Sequence, residues 1–178
     1  MAVAIDLIFS DLDEDLIRDW WSLCDAAGVA SIGADSAQPP HVTLSVLDCD
    51  DTDLLLATLG ARLDDQHSPT LMLTHIGLFV RPGTVLYLGV SITDELFQLH
   101  ERITDIGIEL GIHIWEHYRP GIWTPHTTLA RGFEFEALHD LLPSSVDDLP
   151  DLPVKIRAEA VSVATIPDGI ELGRLRLS

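Results

Sequence analysis

Two copies of one short pattern contain the side chains best suited to chemistry. Pro-His-x-Thr-Leu occurs in "PPHVTLSVL" at residues 39–47 and in "TPHTTLARGF" at residues 124–133, which places His41 and His126 85 positions apart. The chain has eight histidines, and two such matches among them are more than its composition predicts. The repetition indicates that both segments serve one function, an interpretation that requires both to occupy equivalent structural positions.

Each copy predicts a strand with one polar and one apolar face. Residues i and i+2 of a strand point the same way, so His41 shares a face with Thr43, and His126 with Thr128. The leucine that ends each motif points to the core. Imidazole titrates near neutral pH, so one histidine can act as a base while the other acts as an acid. Threonine hydroxyls can donate hydrogen bonds to phosphate oxygens. The four side chains therefore predict in-line attack at phosphorus without a metal ion.

The remaining sequence predicts the elements that must position these motifs. Periodicity, caps and turns predict strands at 2–9, 41–47, 70–80, 84–93, 111–118, 126–131, 154–165 and 171–177, and helices at 11–27, 50–64, 94–107 and 134–142. This order is typical of an α+β fold with antiparallel pairing. Each motif strand follows a helix and a loop that ends in proline. We therefore expect residues 1–178 to form a single domain with a bilobal, pseudo-two-fold arrangement of two antiparallel sheets, flanked by helices, with a cleft between the lobes.

The charge of the chain limits its partners. Asp and Glu outnumber Lys and Arg by 29 to 10, and the net charge is −19. Long nucleic acids bind mainly through neutralised phosphates, so we expect no long nucleic-acid footprint. No apolar run is long enough to cross a membrane, and the N-terminus lacks the basic leader of a signal peptide. We expect a cytoplasmic monomer in which Cys24 and Cys49 are free buried thiols.

A second motif suggests different chemistry. "HIWEH", at residues 113–117, fits the H-x-x-E-H signature of inverted zinc peptidases, which requires a helix. Gly111 precedes it and the segment alternates as a strand does, so Glu116 would point away from both histidines. We therefore expect no metal site. Of the other histidines, His75 is expected to be structural, and three are expected at the surface: His67, His100 and His139.

The doubled motif resembles that of the 2H phosphoesterase superfamily, and within it the 2′-5′ RNA ligase-like and cyclic phosphodiesterase proteins. Their signature is two His-x-Thr/Ser-hydrophobic motifs on strands of a bilobal α+β fold. The segment 118–126 is similar to the lead-in of the second family motif. Residues 85–90 look like another family strand, with Tyr87 where many members have Trp. The order of elements extends the resemblance over nearly all the chain.

The resemblance implies an enzyme that hydrolyses a phosphodiester, such as a 2′,3′-cyclic phosphate of an RNA end or nucleotide, and that needs no cofactor. His41 and His126 would be the general base and general acid, in an order left open, and Thr43 and Thr128 would bind the phosphate. The acidic surface favours a nucleotide-sized substrate. Three aromatic residues are candidates for stacking on a base: Tyr87, Tyr118 and Trp123. The alternatives are a non-catalytic module of the same fold that binds a nucleotide or cyclic phosphate, and a zinc-dependent hydrolase that uses the 113–117 segment.

Overall fold

The computed structural model describes residues 1–33, 38–80, 83–134, 137–138 and 151–178. Within these ranges the helices are α1 (Asp11–Ala26), α2 (Thr52–Arg62) and α3 (Asp94–Glu109), and the strands are β1 (Ala2–Phe9), β2 (His41–Asp48), β3 (Thr70–Phe79), β4 (Val85–Val90), β5 (His113–Ile114), β6 (His126–Arg131), β7 (Val154–Thr165) and β8 (Glu171–Arg176). The strand pairings are antiparallel. The predicted α+β class with antiparallel pairing is therefore confirmed.

One long strand joins the two halves of the sheet. The strand order is β5-β2-β1-β7-β3-β4-β6, with β8 also paired to β7. The first residues of β7, Val154–Arg157, pair with β3, whereas its later residues pair with β1 and β8. We predicted two sheets, but a twelve-residue strand is long enough to take different partners at its two ends. The strands consequently form one eight-stranded array, and the two-lobed description stays a prediction.

The curvature of this array brings the two motif strands together. β2 and β6 lie near opposite ends of the strand order, yet they contact each other. Helix α1 packs against β6, and α3 packs against β2. The side chains of α1 that face the core are Ile17, Trp20, Trp21 and Cys24. Each motif strand is therefore backed by an amphipathic helix.

Capping side chains define where two of the helices start. The Asp51 carboxylate accepts a hydrogen bond from the Leu54 N–H at the start of α2. The Thr93 hydroxyl accepts one from the Leu96 N–H at the start of α3. Acidic residues occupy the first turn of all three helices, where they interact favourably with the helix dipole. The sequence predicted the first residue of each of these three helices to within two residues.

The strand predicted at 111–118 is largely wrong. Only His113–Ile114 pairs, with Leu47 and Asp48 at the end of β2. The chain then turns, because the Tyr118 N–H bonds to the Trp115 carbonyl and Glu116–Tyr118 form a 3-10 turn. The predicted helix at 134–142 falls mostly outside the described residues, as does His139.

The described residues also bear on membranes and on the thiols. None of the three helices is both long and apolar enough to cross a membrane. Cys24 and Cys49 are buried and free, as predicted. Burial raises the pKa of Cys24 to about 11, with a further contribution from the neighbouring Asp25 carboxylate. This thiol is therefore protonated at neutral pH and behaves as a small apolar core residue.

Candidate active site

The two motifs have the same burial pattern. In each, the histidine and the threonine are partly exposed, and the residue between them is buried. The motif leucines, Leu44 and Leu129, are fully buried in the core. The structure thus gives each strand the polar face and the apolar face that alternation predicted.

Both histidines are held in the same way. The Nδ1 atom of His41 lies 2.8 Å from the Pro39 carbonyl oxygen, and Nδ1 of His126 lies 2.7 Å from the Thr124 carbonyl oxygen. A carbonyl only accepts hydrogen bonds, so each Nδ1 must carry a proton and donate it. In the neutral ring Nε2 then has a lone pair that can accept a proton, and in the charged ring it has a proton to give. Each histidine can therefore serve as either base or acid through Nε2.

Two tryptophans link the motifs to the rest of the fold. The Trp123 indole N–H, from the segment before β6, donates to the Thr43 carbonyl oxygen of β2 over 3.0 Å. The Trp21 indole N–H of α1 donates to the Thr128 carbonyl oxygen of β6, also over 3.0 Å. The sequence did not identify Trp21 as a residue of the site. The only sequence feature that marked Trp21 was its place on the helix before the first motif. Its partner Thr128 lies 107 positions away, and local periodicity does not reveal contacts over such a distance.

His100 was predicted at the surface, and this prediction is wrong. The residue is fully buried in α3, and its ring stacks on Trp123 with 4.0 Å between ring centroids. Its Nε2 lies 2.9 Å from the Tyr118 carbonyl oxygen. Burial lowers the pKa of His100, an effect that this hydrogen bond partly opposes. The neutral ring therefore supports Trp123, which in turn fixes the Thr43 backbone.

The pairing of each motif strand with its neighbour contains a register shift at the same position. β1 pairs with β2 so that Asp6 stands opposite Thr43, directly after a register shift. β4 pairs with β6 so that Tyr87 stands opposite Thr128, again directly after a register shift. Such shifts locally bend and twist a strand and re-aim its side chains. Asp6 and Tyr87 therefore occupy equivalent positions in the two halves, next to His41 and His126 respectively.

The half of the site around His41 contains a buried carboxylate. Asp6 is 1% exposed, and its Oδ1 lies 3.9 Å from Nε2 of His41. The Gln38 side-chain amide donates to Asp6 Oδ2 over 3.4 Å. Asp6 was not predicted as a site residue from the sequence. It is the one acidic residue in the otherwise apolar strand 2–9, which was the available signal.

The half around His126 contains two aromatic rings. The His126 ring lies 5.1 Å from the Tyr87 ring and 4.9 Å from the Phe79 ring, measured between centroids. Phe79 and Tyr87 stack on each other at 4.5 Å. The Tyr87 ring lies over Gly77, where an added Cβ would clash with the ring. Glycine at this position is therefore required for the Tyr87 ring to lie against β3. The stacked rings of Phe79 and Tyr87 form an aromatic wall beside His126.

The three predicted stacking residues occupy different environments. Tyr87 is 8% exposed and lies beside His126. Trp123 is 7% exposed, and both its ring and its N–H are engaged as described above. Tyr118 lies in the 3-10 turn and is partly buried against the core. Phe79, which the sequence analysis passed over, is partly exposed beside His126.

The 113–117 segment does not have the geometry of a zinc peptidase helix. It consists of the two-residue strand β5 and the start of the 3-10 turn, and His113 and His117 are both exposed. The Nδ1 atom of His113 instead pairs with Asp48, whose pKa is lowered mainly by the hydrogen bond from Trp115 and then by that from His113. Among the described residues, no group of three or more His, Cys, Asp or Glu could hold a metal ion.

The whole fold is similar to that of solved phosphoesterase structures. E. coli LigT complexed with 3′-AMP superposes with a TM-score of 0.69 at 19% identity, over 99% of this chain and 97% of that one. TT0787 of Thermus thermophilus gives 0.62 at 18%, over 99% and 98%. Usb1 of Kluyveromyces marxianus gives 0.55 at 13%, over 99% and 98%. No curated protein sequence matches the chain significantly. The fold is therefore LigT-like.

The sequence itself assigns the family. The profile of the 2′-5′ RNA ligase superfamily matches residues 9–164, which is most of the chain and includes both motifs. The protein belongs to the 2′-5′ RNA ligase superfamily, as the resemblance of its motifs indicated. Membership supports a phosphoesterase type of activity.

Proposed function

We propose that the protein is a metal-independent phosphodiesterase that opens a 2′,3′-cyclic or 2′-linked phosphodiester of a nucleotide or RNA end. His41 and His126 serve as general acid and base, and Thr43 and Thr128 hydrogen-bond the phosphate. No cofactor takes part. The enzyme acts as a single domain and as a monomer.

The observation that carries this proposal is the matched Nδ1–carbonyl bond of the two histidines. It directs both Nε2 atoms away from the backbone, each on the face that its threonine hydroxyl shares. In-line displacement at phosphorus needs one group that removes a proton from the nucleophile and one that supplies a proton to the leaving oxygen. Two imidazoles in the same tautomer, on strands that contact each other, meet this requirement.

A nucleotide-sized substrate fits the surroundings of the site. E. coli LigT has been solved with 3′-AMP, a nucleoside monophosphate. The net charge of −19 repels an extended phosphate backbone, whereas a single phosphate needs only local hydrogen-bond donors. Tyr87, together with Phe79 beside it, offers aromatic surface near His126 for the nucleoside; Tyr118 and Trp123 remain candidates for the same role.

The direct test is hydrolysis of the four nucleoside 2′,3′-cyclic monophosphates in EDTA by the wild-type protein, His41→Ala and His126→Ala. We expect turnover by the wild type and a loss of about 100- to 10,000-fold in each variant, the range of general acid–base catalysis. His67→Ala is the matched control, because His67 is exposed and hydrogen-bonded to Ser178 far from the motifs. Equal turnover by all four proteins would show that the motif histidines are not catalytic.

The second candidate function is binding of a nucleotide or cyclic phosphate without turnover. Both motifs offer imidazole and hydroxyl groups that can hydrogen-bond a phosphate, and such binding does not by itself require turnover. Binding of a nucleoside 2′,3′-cyclic monophosphate by calorimetry, with no product formed by the folded wild type, would support it over the enzyme. Loss of activity in EDTA would instead support a zinc-dependent hydrolase.

A further inference from the structure

The two halves of the site match in backbone and differ in chemistry. Asp6 and Tyr87 occupy equivalent positions, each opposite the motif threonine and each after a register shift. One half therefore has a carboxylate beside its histidine, and the other has an aromatic ring. Two histidines alone leave the acid and base roles open, and the Asp6 carboxylate beside His41 is the feature that distinguishes them.

The Asp6 carboxylate is partly unsatisfied. Its Oδ1 is buried and has no hydrogen-bond partner among the described residues. Its neighbours across the strands are Thr43 on β2 and Ser162 on β7, and the Ser162 hydroxyl donates to Glu171 instead. Within the described part of the chain, no Arg or Lys pairs with Asp6, and His41 is its ionic neighbour. Burying a carboxylate in this way is costly, so it indicates a function that compensates for the cost.

The Asp6 carboxylate acts on His41 through its charge. At 3.9 Å, Asp6 Oδ1 and His41 Nε2 are too far apart for a direct hydrogen bond. Oδ1 is fully buried, so a water molecule has no room to contact it. A carboxylate at this distance stabilises a positive charge that forms on the imidazole.

We propose that Asp6 makes His41 the general base and thereby leaves His126 as the general acid, a proposal that rests on the proposed function. Asp6 stabilises the positive charge that forms on His41 when its Nε2 takes up a proton. The aromatic wall of Phe79 and Tyr87 takes the nucleoside, which places the ribose oxygen that leaves beside His126.

In the proposed step, a 2′,3′-cyclic phosphate opens to the 2′-phosphate by one displacement at phosphorus. The water oxygen bonds to phosphorus while the bond from phosphorus to the 3′-oxygen breaks. One water proton moves to Nε2 of His41, and the Nε2 proton of His126 moves to the 3′-oxygen. The product is a 2′-phosphomonoester with a free 3′-hydroxyl. Proton exchange with solvent then returns both histidines to their starting states.

A change of leaving group tests the assignment. The p-nitrophenyl ester of a 3′-deoxynucleoside 2′-phosphate has no neighbouring hydroxyl, so water is its nucleophile. It releases nitrophenolate, which leaves without a proton and needs no general acid. We expect His126→Ala to lose about 100-fold or more on the cyclic phosphate and less than about 10-fold on this ester. His41→Ala and Asp6→Asn should lose activity equally on both substrates, with Asp6→Asn reduced about 10- to 100-fold in kcat and little changed in KM.

The controls separate a role in catalysis from one in folding. Asp53→Asn makes the same change of charge on the exposed face of α2 and should behave as the wild type. Thermal unfolding shows whether Asp6→Asn is folded. If it is not, Asp6→Ser is the second variant that removes the carboxylate. Rescue of His41→Ala by the nitrophenyl ester would reverse the assignment, and full activity of folded Asp6→Asn would remove Asp6 from the mechanism. A wild type that cleaves neither substrate would overturn the proposed function itself.

Discussion

At the scale of single residues, each motif threonine uses its hydroxyl and its backbone carbonyl for different purposes. Thr43 and Thr128 each place a hydroxyl on the face of their histidine while their backbone carbonyls accept a tryptophan N–H. The backbone is therefore fixed independently of the hydroxyl. A substitution that removes only the hydroxyl should leave the strand in place and report on phosphate binding alone.

Thr43→Val and Thr128→Val should each lower kcat/KM for a nucleoside 2′,3′-cyclic phosphate by about 10- to 1000-fold, because one hydrogen bond to the transition state is lost. Steady-state kinetics beside thermal unfolding is the measurement. The matched controls are the serine variants at the same positions, which keep the hydroxyl and should retain most of the activity. A valine variant with wild-type kinetics would exclude that threonine from phosphate binding.

At the scale of elements, the aromatic wall depends on how closely β3 approaches β4. Gly77→Ala would bring a Cβ into steric conflict with the Tyr87 ring, so the ring must move away from His126. We expect a loss of about 1–3 kcal/mol in the free energy of unfolding from overpacking, together with lower activity.

Gly60→Ala is the matched control for this substitution. Gly60 lies inside α2, and the nearest atom to an added Cβ, from Leu175, is 3.8 Å away. Alanine there should stabilise the protein by up to about 1 kcal/mol, because it favours the helix. Chemical denaturation of the two variants compares the effects. Equal stability of Gly77→Ala and wild type would show that Tyr87 is not constrained by β3.

The same elements show what could be predicted from the sequence. The strand at 126–131 and the helix starts follow from alternation and capping residues near each other in the chain, and both were predicted closely. Asp6 and Trp21 were missed, because their roles depend on pairing between distant strands and helices. His100 was misplaced for a related reason: its stack with Trp123 joins residues that only the fold brings together. The double motif was predictable because each copy is complete within five residues.

At the scale of the whole molecule, stability should depend on a buried neutral histidine. The folded state holds the pKa of His100 below its ordinary value, chiefly by burial. As pH falls below about 6.5, the unfolded chain takes up a proton that the folded chain resists. The unfolded state then binds more protons, so this residue makes the folded state progressively less stable until the pH reaches the lowered folded-state pKa.

His100→Gln should therefore reduce the slope of stability against pH below about pH 6.5. The free energy of unfolding is measured by denaturant titration at several pH values for the wild type, His100→Gln and the exposed control His67→Gln. The control should keep the wild-type slope. An unchanged slope in His100→Gln would show that this histidine titrates alike in the folded and unfolded chains.

The pairing of β1 with β7 has a consequence for how the protein is made. Val3 pairs across the sheet with Thr165, so β1 leaves the ribosome long before the strand that it pairs with. Until β7 has emerged, β1 has no partner on the side away from β2, and β3 has none on the side away from β4. The two-histidine site can consequently assemble only after β7 has been made, and until then the nascent chain presents open, apolar strand edges to which chaperones can bind.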